Sequence, residues 1–315
     1  MTRAAVTCAA TGRVAVIAGP TASGKTRAGL NLAARWRGAS GAEIVNADAM
    51  QLYRDIPVLS AQPTPEERGD VPHHLFGVVD AATPCSAGAW ARRAAPILKR
   101  VVADGGLAIL VGGSGLYLRA AVEGLSAAPR IPEAVREAAR ARLGEVGLPA
   151  FRAETLDLDP AMARLDPNDA QRHLRAWEVA TASGTPLSTL QAQNGPPAAP
   201  RVDARIVIEP DRDALYAACD ARFDAMLAGG ALDEVGRLAS RGLDADLPAM
   251  KALGVAELAA HLRGESDLHT AGALAKRNTR RFAKRQLTWF RNQTNDWPRA
   301  TSPETAAERL AKELA

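Results

Sequence analysis

The stretch VAVIAGPTASGKT, residues 14–26, constrains this 315-residue chain more than any other part of it. A short apolar run ends in a loop that fits the phosphate-binding pattern G-x-x-x-x-G-K-[ST], and a helical segment follows. In such a loop the glycines turn backbone N–H groups toward one anion, the lysine supplies a cation, and the Thr26 hydroxyl can bind Mg²⁺. The pattern predicts a diphosphate or triphosphate site made of Gly19, Pro20, Thr21, Ala22, Ser23, Gly24, Lys25 and Thr26. The identity of the ligand stays open, because kinases, ATPases and other enzymes share this loop.

Composition excludes several classes of protein. The chain is 47% hydrophobic and 23% charged, and no apolar run approaches the roughly 20 residues that cross a bilayer. We therefore expect a soluble, cytoplasmic protein that does not bind membranes. The residues before the loop lack the apolar core of a signal peptide. Cys8, Cys85 and Cys219 are far apart and form no C-x-x-C pair, which predicts reduced thiols rather than disulfides or a zinc site.

The order of apolar runs predicts an α/β fold. Strand patterns at residues 43–46, 107–111 and 204–208 are separated by helical ones, so we expect a P-loop NTPase-like parallel sheet flanked by helices. From residue 125 to 193 the periodicity is helical without strand signals, which predicts an all-helical insertion. The predicted organisation is a first part of the core at residues 1–124, the insertion at 125–200, and a return to the core with basic C-terminal helices at 201–315.

Polar residues follow two of the predicted strands. Asp48 comes after the strand at 43–46, and Ser114 lies in the glycine-rich turn that follows the strand at 107–111. Ligands collect beyond the carboxyl ends of parallel strands, so both residues are candidates for the same crevice as the phosphate loop. Asp48 is a candidate catalytic group or, equally, an N-cap or an indirect Mg²⁺ ligand. For Ser114 the alternative is a plain turn between strand and helix.

A long proline-rich loop at residues 54–84 is predicted to be functional and to hold one or two short strands. It contains the adjacent pair His73 and His74. No carboxylate stands at ligand spacing, which favours a structural or substrate-contacting role over a metal site.

Two helical segments carry basic faces. The predicted helix at residues 274–291 has no acid after Lys276 and contains Trp289 beside Phe290. A solvated face normally mixes in acids, so this helix favours a nucleic-acid surface, or cations that point inward to the phosphate site. The second segment carries Gln171, Arg172 and Arg175, and here a solvated helix surface remains the alternative.

Several motifs together resemble the tRNA dimethylallyltransferase family in its bacterial form. They are GPTASGKT, NADAMQLYRDI, LVGGSGLYLRA, NDAQRHLRAWEV, RFDAMLAGG and KRQLTWFR, and they extend from residue 14 to residue 291. The resemblance implies transfer of a dimethylallyl group from dimethylallyl diphosphate to N6 of adenosine 37 in tRNA, with Mg²⁺ as cofactor and release of pyrophosphate. It also implies a monomer that binds the anticodon stem-loop.

The resemblance also implies roles for individual residues. Asp48 would be the general base, Ser114 stands where the family has threonine, Arg222 would bind the pyrophosphate, and Thr26 would bind the metal. The family has G-T-A-K-P where this chain has LSAQP at 59–63, so no lysine contact is expected there. The tRNA contacts implied by matched motifs are Asp48, Ala49, Met50, Gln51, Ser114, Arg136, Gln171, Arg172, His173, Leu174, Arg175, Met250, Lys251, Gly254, Lys284, Arg285, Gln286, Trp289 and Arg291.

Three other functions stay open at this point. A small P-loop kinase would use the same loop for ATP but has no need of the basic helix. A nucleic-acid-stimulated ATPase needs an acidic pair after an apolar strand, which is not found downstream of the loop, although Asp48 could fill part of that role. An adenylate isopentenyltransferase performs the same chemistry on a free nucleotide.

Overall fold

The computed structural model describes residues 12–126, 129, 131–193 and 195–315. The chain divides into two compact units: Met1–Val122 together with Ala198–Ala315, and Glu123–Pro197. None of the described helices is both long and apolar enough to span a membrane. Cys85 is partly exposed and Cys219 is buried, both as free thiols, whereas Cys8 lies outside the described residues.

The first unit is built on a six-stranded sheet in which all strand pairs are parallel. Its strand order is β3-β2-β4-β1-β5-β6. The central strands are nearly continuous apolar runs because helices cover both faces of a parallel sheet. The α/β prediction is confirmed, with one more strand at each edge than the sequence indicated clearly. The strands are β1 (Arg13–Ala18), β2 (Ala42–Asn46), β3 (His73–His74), β4 (Leu107–Gly112), β5 (Ala204–Ile208) and β6 (Arg299–Ala300).

Helices cover both faces of this sheet. The chain runs one way across the sheet from β1 to β2 and the other way from β2 to β4 and from β4 to β5, so right-handed crossovers place the first and third helices on opposite faces. The described helices are α1 (Lys25–Arg35), α2 (Pro65–Arg68), α3 (Ala87–Ala103), α4 (Gly115–Val122), α5 (Glu133–Leu158), α6 (Ala170–Ser183), α7 (Leu187–Gln191), α8 (Arg212–Ala228), α9 (Ala231–Ser240), α10 (Val255–Leu262), α11 (Leu268–Gln293) and α12 (Pro303–Leu314).

One core lies between the sheet and helices α1 and α12. Ile17 of β1 and Ile109 of β4 pack there with Leu32 of α1 and Leu310 of α12, all of them buried. On the other face α3 packs against β4 and buries Trp90, whose Nε1 donates to the carbonyl oxygen of Asn46 at 2.8 Å. Because the chain leaves β1 and β4 in opposite directions, a crevice opens between their carboxyl ends.

Capping residues explain where the helices begin. Ser86 caps α3 by accepting a bond from Ala89 N at 3.1 Å. Asp211 caps α8, as the sequence predicted. The predicted start of the basic helix at residue 274 is wrong. It begins at Leu268, because Asp267 caps it with an oxygen that accepts from Thr270 N at 2.7 Å.

The histidine pair lies at the edge of the sheet. His74 Nε2 is 2.5 Å from Glu43 Oε2, and the same carboxylate accepts a bond of 2.6 Å from Arg100 Nη2. These partners hold the pKa of Glu43 below its ordinary value, the Arg100 bond being the larger cause. His73 Nδ1 is 2.7 Å from the carbonyl oxygen of Val71. Both rings therefore hold the short strand β3 in place.

The second unit contains α5, α6 and α7. Helix α5 breaks at Gly147, whose φ of 74° is in the left-handed region that favours glycine. The apolar cluster of the second unit includes Ile131, Met162 and Val179. Asp159 is buried at the end of α5, and its carboxylate accepts a bond of 2.8 Å from Ser188 N. This bond joins the end of α5 to the beginning of α7.

Candidate active site

The loop after β1, which leads into α1, contains the residues of the predicted phosphate site, and we call it the cradle. A Cβ atom on Gly19 would lie 2.8 Å from both Ile208 O and Ser23 Oγ, and one on Gly24 would lie 2.4 Å from Pro303 Cγ. Gly24 also has a φ of 80°. No described side chain caps α1, and Ser23 Oγ is buried without a hydrogen-bond partner among the described residues. Free N–H groups and an unpartnered hydroxyl are what a phosphate group would satisfy.

Two cations stand beside this cradle. Lys25 Nζ donates to Pro20 O at 2.6 Å, and Arg222 Nη2 contacts Thr21 Oγ1. Burial lowers the pKa of Lys25 to about 8, with Arg222 contributing and Asp48 opposing. Burial likewise lowers the pKa of Arg222, against the opposing effects of Cys219 and Asp48. Two buried cations that are costly to keep charged would be stabilised by an anionic ligand.

Asp48 is held at the carboxyl end of β2 by the buried Asn46. Asn46 Oδ1 accepts from Asp48 N at 2.8 Å, and Asn46 Nδ2 donates to Asp48 O at 2.9 Å. One Asp48 oxygen, Oδ1, accepts from Met50 N at 3.0 Å and so caps the following turn. The other, Oδ2, lies toward the glycine turn after β4, 3.6 Å from where a Cβ on Gly113 would be. The capping and reactive roles can therefore coexist in one carboxylate.

Ser114 joins the loop after β4 to the loop that carries Asp48. Its Oγ accepts from Ala49 N at 2.9 Å, and its N–H donates to Ala47 O at 3.3 Å. The two loops approach so closely that a Cβ on Gly112 would lie 2.1 Å from Ala47 O. The hydroxyl of Ser114 thus positions the backbone next to Asp48 and keeps its own proton available for a further bond.

Helix α11 has two kinds of basic residue. Lys276 forms an ion pair of 2.6 Å with Asp224, Arg280 one of 2.6 Å with Asp220, and Arg291 one of 2.6 Å with Glu209. The remaining cations are exposed and form no ion pair with any described residue, and they follow one another at helical spacing. We call them the cationic stripe: Arg277, Arg281, Lys284 and Arg285.

Two other residues of the KRQLTWFR segment, Gln286 and Trp289, pack against neighbouring elements. Gln286 is only 6% exposed and contacts the loops after β1 and β4. Trp289 packs on the first turn of α4, where a Cβ on Gly115 would lie 2.4 Å from its Cε2. Trp289 is half-buried and so keeps only part of its ring accessible.

Several predicted tRNA contacts in the first unit form hydrogen bonds, ion pairs or packing contacts with other residues of the protein. Gln51 Nε2 donates to Ala61 O at 2.7 Å, and Lys251 pairs with Asp246 at 2.8 Å. Gly254 is buried, and a Cβ there would lie 3.0 Å from Phe223 Cε2. Met250 is partly exposed in the turn Pro248–Lys251.

In the second unit the predicted contacts divide between surface and core. Gln171 and Arg172 are exposed, and Leu174 is half-buried. His173 is buried, with Nε2 3.2 Å from Asp166 O and Nδ1 without a hydrogen-bond partner among the described residues. Three of the arginines form local ion pairs: Arg136 with Glu133 at 3.4 Å, Arg172 with Asp169 at 3.3 Å and Arg175 with Glu178 at 3.6 Å.

Sequence reasoning missed Asn46 and Glu234. Glu234 of α9 is 1% exposed, and its carboxylate accepts from Val58 N at 2.8 Å and Leu59 N at 2.9 Å. It therefore fixes the loop whose carbonyl groups bind Gln51. Burial raises the pKa of Glu234, against the two backbone bonds. For Asn46 a signal exists, since a lone amide follows the apolar residues Ile44 and Val45 at the end of the strand. For Glu234, which stands beside Asp233 on an amphipathic helix, no such signal exists.

The donor set suits Mg²⁺ bound together with a phosphate ligand. Among the described residues no group of three or more His, Cys, Asp and Glu side chains could hold a metal ion. Mg²⁺ needs no such group, because it binds one or two protein oxygens and completes its shell with phosphate oxygens and water. Thr26, in the first turn of α1, supplies a hard hydroxyl oxygen at the cradle.

Comparisons with known proteins identify the family of this chain. The model of the family described as IPP transferase matches residues 51–293, and that described as Isopentenyl transferase matches residues 12–72. A tRNA dimethylallyltransferase of Phenylobacterium zucineum is 51% identical over 293 residues, which cover 93% of this chain and 94% of the relative. The enzyme of the same name from Maricaulis maris is 50% identical over the same shares. The crystal structure of the full-length tRNA isopentenylpyrophosphate transferase from Bacillus halodurans is similar with a TM-score of 0.67 and 32% identity over 96% of both chains.

Proposed function

Because this chain belongs to the IPP transferase family, we propose that it transfers a dimethylallyl group from dimethylallyl diphosphate to N6 of adenosine 37 in tRNA. The products are N6-isopentenyladenosine and pyrophosphate. One observation carries the proposal: the carboxylate of Asp48 stands at the same end of the sheet as a phosphate loop flanked by the cations Lys25 and Arg222. A base and a diphosphate cradle in one crevice are what N-prenylation requires.

In the proposed reaction Asp48 takes a proton from the N6 amino group. The nitrogen lone pair, otherwise delocalised into the adenine ring, forms a bond to C1 of the dimethylallyl group. The C1–O bond breaks, and its electron pair leaves with the pyrophosphate. Lys25, Arg222 and the N–H groups at the start of α1 stabilise the charge that develops on the leaving group. Ser114 keeps the Asp48 loop in place through Ala49.

Thr26 and the cradle would hold Mg²⁺ through the diphosphate. When bound, the ion supplies positive charge to the leaving group. The protein's part is to orient that group: Gly19 and Gly24 let the loop pack closely against Ile208 and Pro303, and Lys25 would contact the diphosphate from the first turn of α1.

The proposed partner is the anticodon stem-loop of tRNA. The cationic stripe offers exposed charges without acidic partners among the described residues, which is what contact with a phosphate backbone needs. Gln171 and Arg172 of the second unit add exposed polar groups of their own. The target adenine must leave its stack to react, so the protein has to bind an extruded nucleotide. We propose that the enzyme acts as a monomer in the cytoplasm, where its substrate tRNA is found.

The test is transfer of radiolabel from dimethylallyl diphosphate to unmodified tRNA with adenosine at position 37, with AMP and ATP assayed in parallel. Label in tRNA alone supports the proposal. Label in AMP would instead indicate the free-nucleotide reaction, and ATP hydrolysis without transfer would indicate a kinase or an ATPase. A tRNA carrying guanosine at position 37 is the matched control and should accept no label.

The same assay tests the general base. Asp48→Ala should lower turnover by about 10²- to 10⁴-fold, the usual contribution of such a base, with little change in tRNA affinity. Equal losses of turnover and tRNA affinity would remove Asp48 from this role.

A further inference from the structure

Gln286 of α11 is an uncharged polar side chain that is withdrawn from solvent. Its neighbours Lys284 and Arg285 are exposed, whereas Gln286 is 6% exposed. The family motif carries it over as a tRNA contact, but a side chain so buried has little surface to offer an RNA. Its amide has other partners.

Those partners belong to two different loops of the active site. Oε1 of Gln286 accepts from Thr21 N at 2.8 Å, and Nε2 donates to Gly113 O at 2.9 Å. Thr21 is in the phosphate loop after β1, and Gly113 is in the turn after β4 that leads to Ser114. An amide offers an acceptor and a donor at one terminus, so a single side chain can bridge the two loops.

The bridge stands next to a strained part of the phosphate loop. Ala22, the residue after Thr21, has a φ of 62°, a left-handed conformation that is unfavourable for a residue with a Cβ atom. Such a conformation persists only where the surroundings hold it. Gln286 holds the preceding amide, and Arg222 contacts the hydroxyl of Thr21.

Space around Gly113 confirms how tightly the parts meet. A Cβ on Gly113 would lie 2.5 Å from Gln286 Nε2, 2.9 Å from Gly19 O and 3.6 Å from Asp48 Oδ2. The amide of Gln286 therefore lies where the loops after β1 and β4 meet, close to Asp48. A change in its length or hydrogen bonding would alter the spacing between the cradle and the Asp48 loop.

We infer that Gln286 is a positioning residue of the diphosphate cradle and does not itself bind tRNA. It fixes the phosphate loop at Thr21 and sets the distance of that loop from the turn at Gly113. Through it, the helix that carries the cationic stripe is joined to the cradle. The inference rests on the proposed diphosphate site, and it assigns to Gln286 a different substrate from the one that the family motif implies.

The experiment compares two ligands on three proteins. Gln286→Met keeps the length of the side chain and removes both hydrogen bonds. Gln293→Met makes the same chemical change at an exposed position of α11 and is the matched control. For wild type and both variants we would measure the Kd of inorganic pyrophosphate with Mg²⁺ by calorimetry, the Kd of unmodified tRNA by fluorescence anisotropy, and the melting temperature.

Gln286→Met should weaken pyrophosphate binding by about tenfold or more, since two buried polar groups lose their partner, and should leave tRNA affinity within about twofold. In steady state the KM for dimethylallyl diphosphate should rise with the KM for tRNA unchanged. Gln293→Met should change neither ligand's affinity.

Gln286→Glu separates the two halves of the bridge. A carboxylate can still accept from Thr21 N but cannot donate to Gly113 O, and it adds negative charge beside the cradle. Pyrophosphate binding should therefore weaken at least as much as in Gln286→Met.

Other outcomes overturn the inference. A loss of tRNA affinity with pyrophosphate binding intact would make Gln286 a tRNA contact. Equal losses of both would show a general defect of folding. If wild type itself binds no pyrophosphate, the proposed diphosphate site fails, and that result is distinguishable because it appears before any variant is compared.

Discussion

The phosphate-loop lysine offers the sharpest test, because its pKa lies within the range that an assay can cover. Burial lowers the pKa of Lys25 from 10.5 to about 8. Only the protonated ammonium attracts a diphosphate. At pH 7 most molecules carry that proton, whereas at pH 9 only about one in eleven does. The contribution of Lys25 to binding should thus fall about tenfold between pH 7 and pH 9, which is about 1.4 kcal/mol.

The assay is the Kd of pyrophosphate for wild type and for Lys25→Met at pH 7, 8 and 9. Pyrophosphate titrates in this range as well, but the ratio of the two affinities cancels that effect. The ratio should decline about tenfold from pH 7 to pH 9. Lys25→Arg is the control, since its charge does not titrate here and its ratio to Lys25→Met should stay constant. A wild-type ratio that is equally constant would refute the assigned pKa.

The same lowered pKa predicts that the free energy of unfolding rises with pH, whereas the affinity for pyrophosphate falls. Below pH 8 the lysine is charged in both the folded and the unfolded states, and the folded state carries the full cost of burying it. Between pH 8 and pH 10.5 the folded protein loses the proton first, so the cost disappears as pH rises. Lys25→Met should therefore raise the free energy of unfolding at pH 7 by about 1 to 3 kcal/mol, the upper figure being the full lowering of the pKa. Urea denaturation at pH 7 and pH 10.5 measures it, and a difference that grew with pH would contradict the argument.

Three further predictions concern the scaffold and the RNA surface. Glu234→Ala should lower the free energy of unfolding by about 2 to 5 kcal/mol, because two buried N–H groups lose their acceptor. Glu234→Gln should lower it less, and equal stability of wild type and both variants in urea denaturation would contradict this prediction. Gly112→Ala should fail to give a folded protein by circular dichroism, since its Cβ would lie 2.1 Å from a backbone oxygen of the loop after β2. Lys284→Ala with Arg285→Ala should weaken tRNA binding and reduce the slope of log K against log salt by about two. The exposed Lys312→Ala on α12 should leave the slope close to that of wild type, and an unchanged slope in the double variant would place its side chains off the RNA.

The parts of the fold that follow from local pattern could be predicted from the sequence. Apolar runs mark β1, β4 and β5 because buried parallel strands have no polar face. Edge strands give no such signal: β3 and β6 have two residues each, too few for any periodicity. Their existence depends on a neighbouring strand that is distant in the chain.

The candidate site shows the same division. The phosphate loop is contiguous, so its residues could be recognised together. The supports of the site come from elsewhere in the chain: Gln286 reaches Thr21 across 265 residues, and Glu234 reaches Val58 across 176. A residue's role in such a contact depends on which side of its helix is buried, and that is settled only by tertiary packing.

The basic helix illustrates why the charge of one segment does not describe a surface. Within its own sequence α11 has no acid after Lys276, which predicts a helix whose surface charge is entirely positive. The acids that neutralise part of it come from α8, where Asp220 and Asp224 stand one turn apart and pair with Arg280 and Lys276. These pairs fix the rotation of α11 against α8, and the rotation in turn exposes the cationic stripe and buries Gln286 toward the phosphate loop. The packing of α11 against α8 therefore separates the side of α11 that contacts the phosphate loop from the side that carries the cationic stripe. A double variant that exchanges Arg280 and Asp220 should preserve this rotation of the helix, whereas either single substitution should disturb it.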